Sequence, residues 1–222
     1  MQYRPPAWLP ASERDRRSDY YAHLRAEVIE AIPEGCATVL DVGCGKGTLG
    51  RWLKENGVRT AWGIELALAA GEEARRWLDG VVIGSVEQVA LPWPEASVDC
   101  IVCADVLEHT VDPWRVVAKL KRLLAPGGCI VASIPNVAFH RNLRKMARGE
   151  WCYTDEGLLD RTHLRFFTIQ TIEELFAKNG MTIEAVFKKV DGGWNIRLLN
   201  ALLFGALRHT LYLHYVVRVR AT

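Results

Sequence analysis

The chain has no apolar run long enough to cross a membrane. Its longest late stretch, residues 198–207, is ten residues between Arg197 and Arg208, about half of a ~20-residue span. Net charge is also scarce. Against 26 acidic residues stand 28 Lys and Arg, leaving +2, so no global attraction draws nucleic acid and we expect no such partner. Repeats and low-complexity tracts are missing, and a 24% charged, half-hydrophobic composition excludes disorder. Six unevenly spaced cysteines make no disulfide framework. The first residues mix prolines with charge and hold no apolar core of a signal peptide. We therefore expect a reduced, cytoplasmic protein with no transmembrane segment.

What is present is an alternation. After a flexible arm (residues 1–17), one domain is expected over 18–222. An amphipathic helix from Ser18 places Tyr21, Leu24, Val28 and Ile32 on one face and stops before Pro33. Apolar strands follow at 38–40, 61–65, 81–83 and 98–104, interleaved with helices at 48–55, 67–78 and 113–124. Gly127-Gly128 is read as closing the last of these, before a strand over 129–134. A helix at 168–179 and strands at 181–190 and 212–219 complete the pattern. Fully apolar strands between amphipathic helices predict an α/β, Rossmann-like, doubly wound and mostly parallel sheet. Residues 137–167 are polar, basic and aromatic, and read as an insertion over the carboxyl edge that carries the acceptor site.

Gly45, Gly47 and Gly50 satisfy G-x-G-x-x-G between the first strand and its helix, so a dinucleotide must be weighed. Asp41, just before the loop, argues against it, because a carboxylate repels a pyrophosphate. It suits an ammonium or sulfonium instead. Glu65 ends the second strand, where an acid can accept hydrogen bonds from a ribose diol. Together they favour S-adenosylmethionine over NAD. Cys100-Ile101-Val102-Cys103 invites a metal, but strand residues three apart face opposite sides. No other Cys/His spacing suggests zinc, and no metal is expected.

Five ordered segments now carry a resemblance: residues 39–47, Gly63-Ile64-Glu65, Leu91-Pro92-Trp93-Pro94 with Ser97-Val98-Asp99, Asp105-Val106-Leu107-Glu108-His109, and Leu124-Ala125-Pro126-Gly127-Gly128. In this order they resemble class I S-adenosylmethionine-dependent methyltransferases. Ile134-Pro135-Asn136-Val137 and residues 157–168 resemble a bacterial branch associated with cell-surface polysaccharide and glycan modification. The class implies a seven-stranded sheet with an antiparallel C-terminal strand, and S-adenosylhomocysteine as product. It implies that Asp41, Gly43, Cys44 and Gly45 hold the methionine part, Glu65 the ribose, and Leu66, Ser85 (or Glu87 in its place) and Val86 the adenine. Ala104 would lie near the ammonium. Trp93 would touch adenine or simply pack. Tyr20, Tyr21 and Arg25 resemble groups that close over the cofactor.

The expected reaction is O-methylation of a sugar or glycan-type small molecule. The alternative is a methyltransferase-fold partner or regulator, similar to proteins linked to methionine biosynthesis. A hydroxyl acceptor needs a base. His163 is the first candidate, oriented by Asp160, with Phe166 and Phe167 anchoring the segment; His109 is its rival. Tyr21, His140, Arg144, Arg161 and Arg165 are candidate acceptor contacts. Arg141, Arg144, Lys145 and Arg148 are either a solvated face or a phosphate site. Residues 195–207 could pack on the sheet, form a dimer contact or touch a membrane surface. The oligomeric state is not legible.

Overall fold

The computed structural model describes residues 25–155, 157–190 and 193–221. Tyr20 and Tyr21 lie outside the described residues. The strands are β1 (Thr38–Val42), β2 (Thr60–Glu65), β3 (Gly80–Ile83), β4 (Val98–Ala104), β5 (Leu124–Pro135), β6 (Met181–Val190) and β7 (Tyr212–Ala221). They form one seven-stranded sheet in the order β3-β2-β1-β4-β5-β7-β6. β1 to β5 pair in parallel, and β7 runs antiparallel to both β5 and β6. The expected fold class holds. Strand order reverses between β1 and β4, which opens a crevice at their carboxyl ends.

The helices are α1 (Ala26–Ala31), α2 (Thr48–Glu55), α3 (Leu68–Ala74), α4 (Pro113–Lys121), α5 (His140–Met146), α6 (Ile169–Ala177) and α7 (Trp194–Leu202). α1 buries Val28, Ile29 and Ala31 and stops at Ile32, whose extended backbone is the one a following proline imposes. α4 starts where the Asp112 side chain accepts the Arg115 N–H and Pro113 needs no donor. α6 is capped by reciprocal bonds between Thr168 and Thr171. Cys100 and Cys103 fall in separate hydrophobic clusters on opposite sheet faces, as strand geometry requires.

One expectation fails, and one of three open readings of residues 195–207 is not what the structure has. α4 ends at Lys121, and β5 already begins at Leu124. Gly127-Gly128 lies inside the strand, where a Cβ on Gly128 would meet the Val98 and Ala125 carbonyl oxygens at 2.9 Å. Gly128 therefore permits a close approach to β4 at its register shift, Gly127 takes φ +76°, and neither caps a helix. α7 does not pack on the sheet. None of its residues is buried.

Candidate active site

The β1–α2 turn is held by backbone bonds. Gly43 and Cys44 N–H donate to the Ile64 carbonyl at 2.8 and 3.1 Å. Gly45 N–H donates to Glu65 Oε2 at 2.7 Å, and Ala67 N–H to Glu65 Oε1 at 2.8 Å. Gly43 has φ +74°, and a Cβ there would sit 2.8 Å from Val106 Cγ2. At Gly45 (φ +53°) a Cβ would meet open space. That space belongs to a cavity of about 320 Å³ lined by Asp41, Gly43, Cys44, Gly45, Ala104 and Arg25, among others. Larger clefts of about 470 and 450 Å³ lie beside α4 and at the opposite end of β1 and β2, away from the crevice.

Asp41 is 4% exposed. Burial first, and the Glu65 carboxylate second, push its acidity from 3.8 to about 7. A cationic ligand relieves that cost, and the glycine wall leaves it room. Each Glu65 oxygen has accepted one N–H and keeps a further lone pair for a hydroxyl. These residues fit S-adenosylmethionine.

The adenine side is less assembled. Leu66 is 72% exposed after β2, and Val86 is buried after β3. Ser85 Oγ accepts the Glu87 N–H at 3.3 Å. None of the three lines the cavity. Glu87 accepts the Val111 and Asp112 amides at 3.2 and 2.9 Å, one on each oxygen, and does not line the cavity either. Trp93 stacks on Trp62, with centroids 5.2 Å apart, and is a packing residue in this structure.

Sequence reasoning missed the polar cluster at the ends of β4, β5 and β7. Arg25 donates to Asp105 through both Nη atoms, and to Ser133 Oγ at 2.5 Å. Ser133 Oγ lies 3.2 Å from Asp105 Oδ1, and His214 Nε2 lies 3.9 Å from it. Burial and the Arg25 charge hold His214 down at about 4, so its ring is neutral. Asp105 takes φ +55°, a strained conformation for a non-glycine residue, directly after β4.

Beyond it, Leu107–His109 form a single 3₁₀ turn. The Glu108 carbonyl accepts the Leu164 and Arg165 N–H groups at 2.8 and 3.0 Å, which docks residues 160–165 on this turn. His163 thereby meets His109, with ring centroids 4.7 Å apart. Glu108 is 1% exposed, and neither carboxylate oxygen has a hydrogen-bond partner among the described residues. Burial, then Asp105, pushes it up to about 8.

His163 Nδ1 lies 3.1 Å from the Leu158 carbonyl, and His109 Nδ1 lies 3.2 Å from the Thr162 carbonyl. Carbonyls only accept, and the Thr162 hydroxyl 3.0 Å from His109 Nδ1 already donates to Asp160, so each Nδ1 is placed to donate; in the neutral ring Nε2 then keeps a lone pair. Burial lowers the His163 pKa, which favours this neutral ring.

Several of the candidate acceptor residues have partners of their own in this structure. Asp160 does not orient His163; its Oδ1 accepts the Thr162 N–H and hydroxyl at 2.7 Å each. Arg161 pairs with Asp155 at 2.8 Å on the exposed surface. Arg165 is tied to the Val111 carbonyl through Nε (3.1 Å) and Nη2 (2.5 Å). His140 Nδ1 contacts the Thr210 carbonyl at 3.2 Å, outside the Glu108 cluster. Arg144 is exposed on α5. Phe167 is buried and Phe166 packs edge-on against Trp151 at 5.4 Å, so the anchors hold.

A switch-point cavity with a buried acid, a glycine turn and a strand-end Glu defines a class I S-adenosylmethionine-dependent methyltransferase domain. Residues 13–186 match the family described as "Methyltransferase domain", and the chain belongs to that family. It is 30% identical over 155 residues to dimethylglycine N-methyltransferase of Parasynechococcus marenigrum, covering 66% of this chain and 51% of that protein. It is 36% identical over 118 residues to a ubiquinone biosynthesis O-methyltransferase of Idiomarina loihiensis, covering 50% and 46%. The chain spans about half the length of the curated relatives it matches. The crystal structure of magnesium protoporphyrin IX methyltransferase from Synechocystis, with bound S-adenosylhomocysteine, shares the fold at TM-score 0.62 and 15% identity, over 98% of this chain and 90% of that one. The dinucleotide alternative falls with this membership. Among the described residues no helix is long and apolar enough to cross a membrane.

Proposed function

We propose that the domain methylates a hydroxyl oxygen on a small polyhydroxylated molecule of sugar or glycan type. The observation that carries this reading is the Glu108–His109–His163 cluster beside Asp105. It offers two imidazoles, whose Nε2 atoms hold lone pairs in the neutral rings, beside the buried, unpartnered carboxyl of Glu108. An amine acceptor needs only placement, whereas a hydroxyl needs a proton acceptor. The resemblance of residues 134–137 and 157–168 to enzymes of glycan modification supports the sugar class. The exposed basic face of α5 (Arg144, Lys145) suits a phosphate on such an acceptor.

In this reading Asp41 and Glu65 hold the cofactor, which supplies a methyl group on a sulfonium. Arg25 and Asp105 close the inner wall of the cavity. His163 Nε2 takes the hydroxyl proton, with His109 beside it. Native mass spectrometry should find an adenosyl-sulfur ligand. A turnover panel of sugar nucleotides, free sugars, phenols and secondary amines should give products with hydroxyl acceptors. Methylation of amines alone would overturn the oxygen assignment. Cofactor binding without turnover on any acceptor would favour the partner or regulator alternative.

A further inference from the structure

Glu108, His109 and His163 each place one ligand-type atom within 4.8 Å of the other two. Atoms bound to a common transition-metal ion at ~2.0–2.2 Å stand roughly 3–4 Å apart, so small side-chain rotations close the set. Three features point to a ligand and not to chance proximity. Glu108 is 99% buried yet leaves both oxygens without a partner, a costly arrangement unless something else satisfies them. His163 Nδ1 faces the Leu158 carbonyl, and His109 Nδ1 faces the Thr162 carbonyl and hydroxyl; with hydrogen on Nδ1 these contacts fix each ring and free Nε2, the usual outer-shell arrangement of a metal-bound imidazole. The three come from segments locked together by the Glu108 carbonyl, so they are presented by rigid backbone.

We propose that Glu108, His109 and His163 bind one divalent transition-metal cation of the zinc type. Two imidazoles and one carboxylate form a three-ligand set that leaves coordination positions open. An acceptor hydroxyl at an open position would be favoured in its deprotonated form, its proton passing to solvent. The inference rests on the hydroxyl-acceptor reading above and deepens it, since the histidine lone pairs then act on the acceptor through the metal.

The test is a Co²⁺ titration of the full chain after chelation, followed by visible absorption, with no acceptor present. One Co²⁺ per chain should bind with a nitrogen/oxygen spectrum. Zn²⁺ should displace it, and affinity should fall more than ~tenfold in Glu108→Gln and in His109→Ala. His109 is exposed, so its variant probes the site without emptying the core. Absence of stoichiometric binding, unchanged affinity in both variants, or a near-ultraviolet thiolate charge-transfer band would overturn the site. Turnover is then measured separately on the acceptor panel. Full O-methylation after chelation overturns the metal's role and leaves the direct-base reading standing. Metal binding with methylation of amines alone overturns the acceptor reading and leaves the site standing.

Discussion

In the proposed reading, Asp41 makes cofactor binding a proton-linked event. In the free protein its carboxyl titrates at about 7 instead of 3.8. Between those values the folded chain keeps a proton that the unfolded chain has lost, so stability falls as pH rises through this window. The raised group's contribution is fully present below 3.8 and gone above about 7. At 1.36 kcal/mol for each tenfold change in acidity, the cost at alkaline pH is on the order of 4 kcal/mol. A cation beside the carboxylate restores its ionised form. Glu65 adds negative charge from β2, while Arg25, Lys46 and Asp105 line the same cavity.

Binding below pH ~7 therefore expels close to one proton, and affinity should rise roughly eightfold between about pH 6 and about pH 7.5. Calorimetry in buffers of different ionisation heat counts that proton directly. The ligand's own α-amino group titrates just above this range, so Asp41→Asn run in parallel supplies the baseline. The variant should lose the pH dependence, bind ~1–3 kcal/mol more weakly at the upper pH, and melt higher than the parent when ligand-free. Equal affinity at both pH values with no proton released by the parent chain would refute the reasoning.

Glu65→Ala removes both the ribose acceptor and the anchor of Gly45 N–H; calorimetry should show a loss of ~1–3 kcal/mol in cofactor affinity. Gly43→Ala combines φ +74° with a Cβ 2.8 Å from Val106 Cγ2. It should lower stability by ~1–3 kcal/mol in a denaturant melt, and an unchanged midpoint would show that Val106 yields freely. Arg144→Ala with Lys145→Ala should raise the acceptor KM and leave cofactor affinity intact, with added salt acting the same way on the parent. Kinetics insensitive to both would mark the α5 face as solvated surface.

The glycine turn and the strand-end acids were legible because their signals are local. Asp41 and Glu65 are carboxylates at the ends of apolar strands, and Gly43 and Gly45 sit in a turn whose backbone demands them. β6 spans the expected residues for the same reason, a continuous run with clear ends. β5 was misread at its start because Pro126-Gly127-Gly128 also looks like a helix stop. The residues do not reveal that Gly128 presses on the carbonyls of β4. Asp160 was assigned to His163, yet its Oδ1 accepts two hydrogen bonds from Thr162 instead.

The acceptor end obeys a different rule. Glu108 and His163 are 55 residues apart, and only the docking of residues 164 and 165 on the Glu108 carbonyl joins them. The Asp105-x-x-Glu108-His109 spacing at the end of β4 was visible, but spacing carries no information about burial. An exposed Glu108 would be a solvated acid; the same residue 1% exposed with two orphan oxygens is a site awaiting a partner. In the proposed reading, backbone geometry binds the cofactor and so leaves a pattern in the glycines and strand-end acids. The acceptor would be received by side chains gathered from distant segments, and each must be judged by what it touches.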